Sequence, residues 1–133
     1  MTEDAKHQIT HWLQALPSLR GGLVRGVRFP DETFVSDFDS RDFPVTSLEQ
    51  AWRSVADTYQ VLTAQQFPPS RLTWVYERTV LPCVQRDDGA IFGMFVAKKG
   101  AEASQPDFDR LLTEFQSLKI TEAEPPAQPP VAG

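Results

Sequence analysis

Ile9, Trp12, Leu13 and Leu16 recur at the three- and four-residue spacing that lines one face of an α-helix, which predicts a first helix over Glu3 to Leu16. Pro17 and the pair Gly21-Gly22 stop it. Leu23 to Phe29 reads as a strand. Leu23, Val27 and Phe29 fall on one face with Arg25 a charged misfit among them, and Val24, Gly26 and Arg28 fall on the other. Pro30-Asp31-Glu32-Thr33 is a turn signal, so Phe34 to Asp37 returns as the second arm of a hairpin. An irregular loop, Phe38 to Val45, carries Asp39, Arg41, Asp42 and Pro44. Thr46 and Glu49 have the spacing of a capping box and open a long helix. On it Leu48, Trp52, Val55, Tyr59 and Leu62 lie within about 40° of one line, and Pro68-Pro69 ends it by about Phe67.

Three strands follow. Arg71 to Glu77 alternates, with Leu72, Trp74 and Tyr76 set against Arg71, Thr73, Val75 and Glu77. Thr79 to Arg86 contains Pro82, which lacks a ladder donor. Asp87-Asp88-Gly89 turns the chain into Ala90 to Lys98, apolar almost throughout. Ser104 and Asp107 have cap spacing ahead of a last helix, Pro106 to Leu118, striped by Phe108, Leu111, Leu112, Phe115 and Leu118. The order is therefore α-β-β-α-β-β-β-α. A strand apolar on both faces needs cover above and below. Three helices with one apolar stripe each supply it, which predicts an α/β (α+β) three-layer sandwich around a five-stranded, mainly antiparallel sheet.

At this point the chain resembles the Roadblock family of dynein-light-chain-like domains, whose element order it matches over roughly Glu3 to Leu118, a profilin-like layout. The local likeness is best at Leu23-Val24-Arg25-Gly26-Val27, in the long central helix, and at Asp88-Gly89 leading into the apolar last strand. Asp31-Glu32 stands where the family often has a glycine, and a bulge is expected to admit Pro82 into a strand that the family keeps internal. The resemblance implies a non-enzymatic, dimeric regulatory or adaptor module, often for small Ras-like GTPases or motor complexes. Acidic chaperones of type III secretion are similarly small and dimeric. They place three strands before the middle helix and two after it, the reverse of the order read here. An enzyme or small-molecule sensor with an unrecognised pocket is the remaining alternative.

Composition narrows the partners. The chain has 133 residues and a net charge of −5, too acidic for a general phosphate-backbone binder, so no nucleic-acid partner is expected. The acidic start Met-Thr-Glu-Asp and the absence of a long apolar run predict a cytoplasmic chain without membrane insertion. Residues 1–119 form the expected domain. The remainder, 120–133, holds four of the 11 prolines and no aromatic, and is expected to be a disordered, solvated tail. Pro126-Ala-Gln-Pro129 within it is a PxxP match of the kind such tails produce easily.

No catalytic, metal or cofactor site is expected. Asp4, His7 and His11 share a helix face, but the stretch lacks the glutamate of HExxH and reads as a solvated polar face. Cys83 has no motif-supplied base and reads as a buried small side chain. Asp31, Glu32, Asp37, Asp39 and Asp42 lack the calcium-loop spacing and suit a solvated loop that steers a basic partner. No GxxxxGK[ST] is present. Trp74 and Tyr76, without basic residues around them, read as sheet packing or interface rather than base stacking.

The candidate site is a surface. Ala51, Ser54, Thr58, Val61 and Gln65 form a second stripe on the central helix, about 100° from the core stripe. Small side chains there let another helix approach. Leu72, Trp74 and Val75 lie on a strand that the Roadblock order puts at a sheet edge, an aggregation hazard unless covered. Together these residues are the expected homodimer interface, which in the family is two-fold.

Overall fold

The structure, a computed structural model, describes residues 1–37, 44–67 and 69–120. Along the chain run α1 (Glu3–Gln14), β1 (Gly22–Arg28), β2 (Phe34–Asp37), α2 (Val45–Ala64), β3 (Leu72–Val75), β4 (Thr79–Gln85), β5 (Ile91–Ala97), a 3-10 turn (Glu102–Ser104) and α3 (Gln105–Ser117). The strands lie in the order β2-β1-β5-β4-β3, and every neighbouring pair is antiparallel. This is the expected α+β three-layer sandwich. Two strands precede the long helix and three follow it, which is the Roadblock order and not that of the secretion chaperones.

Two apolar clusters hold the layers together. Phe92, Met94 and Val96 of β5 pack with Ile9 and Leu13 of α1 and with Phe108, Leu111, Leu112 and Phe115 of α3. Ile91 and Phe95 of the same strand pack on the other face with Leu48, Trp52, Val55 and Tyr59 of α2. Leu62, the fifth residue of that stripe, is only half-buried. Between the clusters Gly93 lets α2 come down on the sheet. A Cβ there would stand 2.7 Å from Cys83 Sγ and 3.2 Å from the Trp52 ring.

Several local expectations are corrected. The pairing of β1 with β5 shifts by one residue between Gly22 and Val24. This bulge turns Leu23 to the α2 side with Val24, away from Val27 and Phe29. Pro82 needs no bulge. It faces Thr73 on β3, and toward β5 the pairing passes from Val80–Val96 to Cys83–Gly93 in unchanged register. One missing N–H removes one ladder bond and requires no inserted residue. The Thr46–Glu49 capping box does not form. Pro44 is the N-cap of α2, and its carbonyl accepts from Ser47 and Leu48 N–H at 2.9 and 3.1 Å. At the other end Phe67 N–H bonds Leu62 O and Gln66 N–H bonds Thr63 O, with Gln66 left-handed at φ 65°. That is a Schellman motif, and it ends the helix ahead of the prolines. Ser104 is the N-cap of α3 but makes no side-chain cap bond.

Arg25, the charged misfit, is 6% exposed. Its guanidinium donates to Leu16 O at 2.6 Å and Pro17 O at 2.8 Å, just past the end of α1, and to Asp37 Oδ2 on β2 at 2.8 and 3.0 Å. The side chain thus ties β1 to the end of α1, where carbonyls lack helical partners, and to the neighbouring strand. Ile120, which the sequence assigns to the tail, packs against the α1–α3 cluster. Residues 121–133 lie outside the described residues, as do Asp39, Arg41 and Asp42 of the acidic loop.

Trp52 is fully buried and its indole N–H finds no acceptor among the described residues. Trp52→Ala is expected to cost about 3–5 kcal/mol, read as a fall in the urea midpoint. Trp52→Phe is expected to cost much less, because it keeps most of the ring and removes an unsatisfied donor.

Candidate functional site: the open edge of the sheet

β3 is an outer strand, with β4 on its inner side and no strand among the described residues on its outer side. Its side chains alternate. Leu72 and Trp74 are half-buried and pack against the α2 cluster, whereas Thr73 and Val75 face the other way and are exposed, Val75 at 69%. Just beyond the strand Tyr76 rests its ring 5.7 Å from that of Phe95 and keeps 41% of its surface. The opposite edge differs. All four residues of β2 are half-buried, and Phe34 packs at a tilt of 59° against Trp52 with ring centroids 5.2 Å apart.

The second stripe of α2 is small and uncharged. Ala51 and Thr58 are half-buried, while Ser54, Val61 and Gln65 are exposed, Val61 at 56%. Ser54 Oγ donates to Gln50 O at 3.2 Å and Thr58 Oγ1 to Ser54 O at 2.9 Å. With their donors spent on the helix backbone, these hydroxyl residues present carbon outward. On the other flank of α2, Ala56, Gln60 and Thr63 line a cavity shared with Arg28 and Glu32 of the first hairpin. By helical rotation the small-residue stripe lies on the opposite flank of α2 from that cavity. Phe67, 72% exposed, closes the end of α2 and was not foreseen as surface. Its exposure follows from the left-handed turn at Gln66, which the sequence does not signal.

The other candidates disperse. Asp31 is engaged by Lys6 Nζ at 2.7 Å and by Thr33 N–H at 3.0 Å, and these hydrogen bonds hold its carboxyl well below the usual range. They also fix the turn in which Glu32 adopts φ 73°, at the position where the family often has glycine. Asp37 belongs to Arg25. His7 and His11 line a groove with Trp12 and Ile120. Cys83 is fully buried, and burial pushes its thiol pKa up, opposite to what a nucleophile needs. Tyr59 donates to Cys83 O at 3.1 Å, and burial raises its pKa to about 12. No helix among the described residues is long and apolar enough to cross a membrane.

Cys83 and Tyr59 both have folded-state pKa values above their unfolded ones, so the unfolded chain releases these protons first. Their stabilisation is complete below about pH 9 and is lost as pH rises toward about 12. Urea midpoints measured along that range are expected to fall. Cys83→Ala should make the fall shallower from about pH 9 upward, and Tyr59→Phe only from about pH 10 upward.

No family model matches the sequence, and no curated protein matches it. Among solved structures the chain is similar to MglB of Myxococcus xanthus, with a TM-score of 0.56 and 7% identity over 71% of this chain and 80% of that one. The likeness is one of fold: the five-stranded antiparallel sheet and three helices described here form a Roadblock-like α+β domain.

Proposed function

We propose that the chain is a non-catalytic homodimeric module that offers its paired form as a platform to a small Ras-like GTPase or another protein partner. The observation that carries this reading is the β3 edge, which has no outer strand among the described residues and holds Val75 at 69% exposure, together with a small, uncharged α2 flank with Val61 at 56%. An edge strand invites pairing, and two copies related by a two-fold axis would join β3 to β3 and α2 to α2 in one continuous sheet. The interface comprises Ala51, Ser54, Thr58, Val61, Gln65, Leu72, Trp74 and Val75. Roadblock-like domains regulate small GTPases in this dimeric form, and the fold likeness supports the same role here.

Sedimentation velocity at micromolar concentration is expected to give a dimer of the 15.0 kDa chain. Val61→Glu and Ala51→Arg should each return it to monomer while leaving the monomer fold intact, read as an unchanged far-UV circular dichroism spectrum. A wild type that remains at 15.0 kDa throughout defeats the homodimer. For the partner, the immobilised dimer should retain small GTPases differently in their GDP- and GTP-loaded forms. Equal retention of both, or none, removes the regulatory role.

A further inference from the structure

One row of the sheet face under α2 is polar where its neighbours are apolar. β1, β5 and β4 lie side by side, with Arg28 opposite Ile91 and Ile91 opposite Gln85. Alternation puts all three on the face that α2 covers. Ile91 packs there, and Arg28 and Gln85 stand an even number of residues from Val24 and Cys83, which pack there too. Arg28 and Gln85 are half-buried, yet the side chain of neither is hydrogen-bonded or ion-paired to a described residue. Arg25 differs: two carbonyls and Asp37 take up its guanidinium. A polar side chain drawn from water without partners costs free energy, and a ligand that supplies the partners recovers it.

The row lines a cavity of about 530 Å³, a size at which small-molecule sites occur. Tyr59, Gln60 and Thr63 of α2 make one wall, and the turns after β1 and β4 make the other. The turns brace each other: Gly89 has φ 95°, and a Cβ on it would stand 3.1 Å from Pro30 Cγ. Lys6 binds Asp31 at 2.7 Å and holds the first turn from α1. The cavity is thus formed in advance, which lowers the ordering cost of binding. Its charged side chains are Arg28, Glu32 and Asp57, the two acids being exposed. No ion pair joins either carboxylate to Arg28 or to another described residue. A guanidinium grips a carboxylate through two parallel hydrogen bonds. The two acids oppose a plain anion and Arg28 opposes a plain cation. The complement of this set is a molecule with one carboxylate and two cationic groups. Ile91, 2% exposed, and Ala56 offer carbon for an aliphatic stem between them.

We propose that this cavity binds a small basic zwitterion, a free amino acid or dipeptide whose carboxylate meets Arg28 and whose two cationic groups meet Glu32 and Asp57. This does not rest on the dimer reading, because the cavity and the Ala51–Val61 stripe lie on opposite flanks of α2. The test titrates the ¹⁵N-labelled full chain with L-lysine and, separately, with glycyl-lysine to about 10 mM, roughly ten-fold above a millimolar Kd. At least one of them should move the amides of Arg28, Gln60, Thr63, Gln85 and Ile91 and saturate. Hexanoate keeps the carboxylate alone and cadaverine the amines alone, so each should bind about ten-fold more weakly or worse. Arg28→Gln and Glu32→Gln should each weaken lysine or glycyl-lysine binding by about the same factor with an unchanged far-UV circular dichroism spectrum. No saturable shift with either probe overturns the proposal. So does hexanoate or cadaverine binding as tightly as the probes, and so does undiminished binding in either folded variant. Shifts confined to α1 and α3, or to the Ala51–Val61 stripe, place the molecule elsewhere and overturn it as well.

Discussion

β5 has no solvent face, and the rest of the molecule is arranged around that constraint. Residues Ile91 to Val96 are all buried, so apolar surface has to be supplied above and below the same six residues. Phe92 calls for α1 and α3, and Phe95 calls for α2. The backbone groups of β5 must also be paired on both sides, which places β1 and β4 beside it and leaves β2 and β3 as edges. Gly93 marks where the demand is tightest, since a side chain there would collide with Cys83 and press on Trp52. The open edge at β3 is therefore a consequence of centring the sheet on β5. Of the two edges, it is the one left with a large apolar side chain in solvent.

The sequence carried this plan because its periodicities are clean where burial is complete. The run from Ala90 to Lys98 fixed the number of layers, and the Leu48–Trp52–Val55–Tyr59 stripe named the helix that covers one of them. What it hid were features that depend on a single backbone bond. Period-two reading assumes one residue per ladder position, so the extra residue between Gly22 and Val24 put Leu23 on the wrong face. The Thr46–Glu49 spacing was present but lies inside the helix, because Pro44 is the N-cap and α2 already runs from Val45. Arg25 looked like an error in a strand and is instead a clamp. Besides Asp37 on the neighbouring strand, its partners are the carbonyls of Leu16 and Pro17, main-chain atoms that no side-chain pattern reports.

The candidate surface was legible in part for the same reason. The α2 stripe follows from helical rotation alone, and β3 follows from strand order. Exposure was less accessible. Leu72 and Trp74 turn inward and serve the core as much as any edge, while Tyr76 and Phe67 carry apolar surface from outside the regular elements. Phe67 stays outside because Gln66 reverses the chain in a left-handed conformation, a turn that a glycine would have announced and a glutamine does not.

The charge pattern bears on whether this surface suits a second copy. Near a two-fold axis each side chain meets its own copy, so any charge there faces a like charge and costs association energy. The α2 stripe runs Ala51, Ser54, Thr58, Val61, Gln65, and β3 runs Leu72 to Val75, without an ionisable group. Of the charges on the helix, Glu49 and Arg53 fall about 80° or more from every residue of the stripe at about 100° per residue, whereas Asp57 borders it, about 40° from Val61. Those bordering the strand, Arg71 and Glu77, stand at its two ends, and Arg71 is drawn toward α3 by Asp109 at 3.0 Å. An antiparallel pairing of β3 with its copy sets the two ends against each other, so Arg71 approaches the partner's Glu77 and not its own like. A surface built for an unrelated acidic or basic partner has no reason to exclude charge from its centre. Under the homodimer proposal, the stripe and strand bring no charge of their own to the centre, Asp57 stands at the border, and opposite signs lie at the ends of β3.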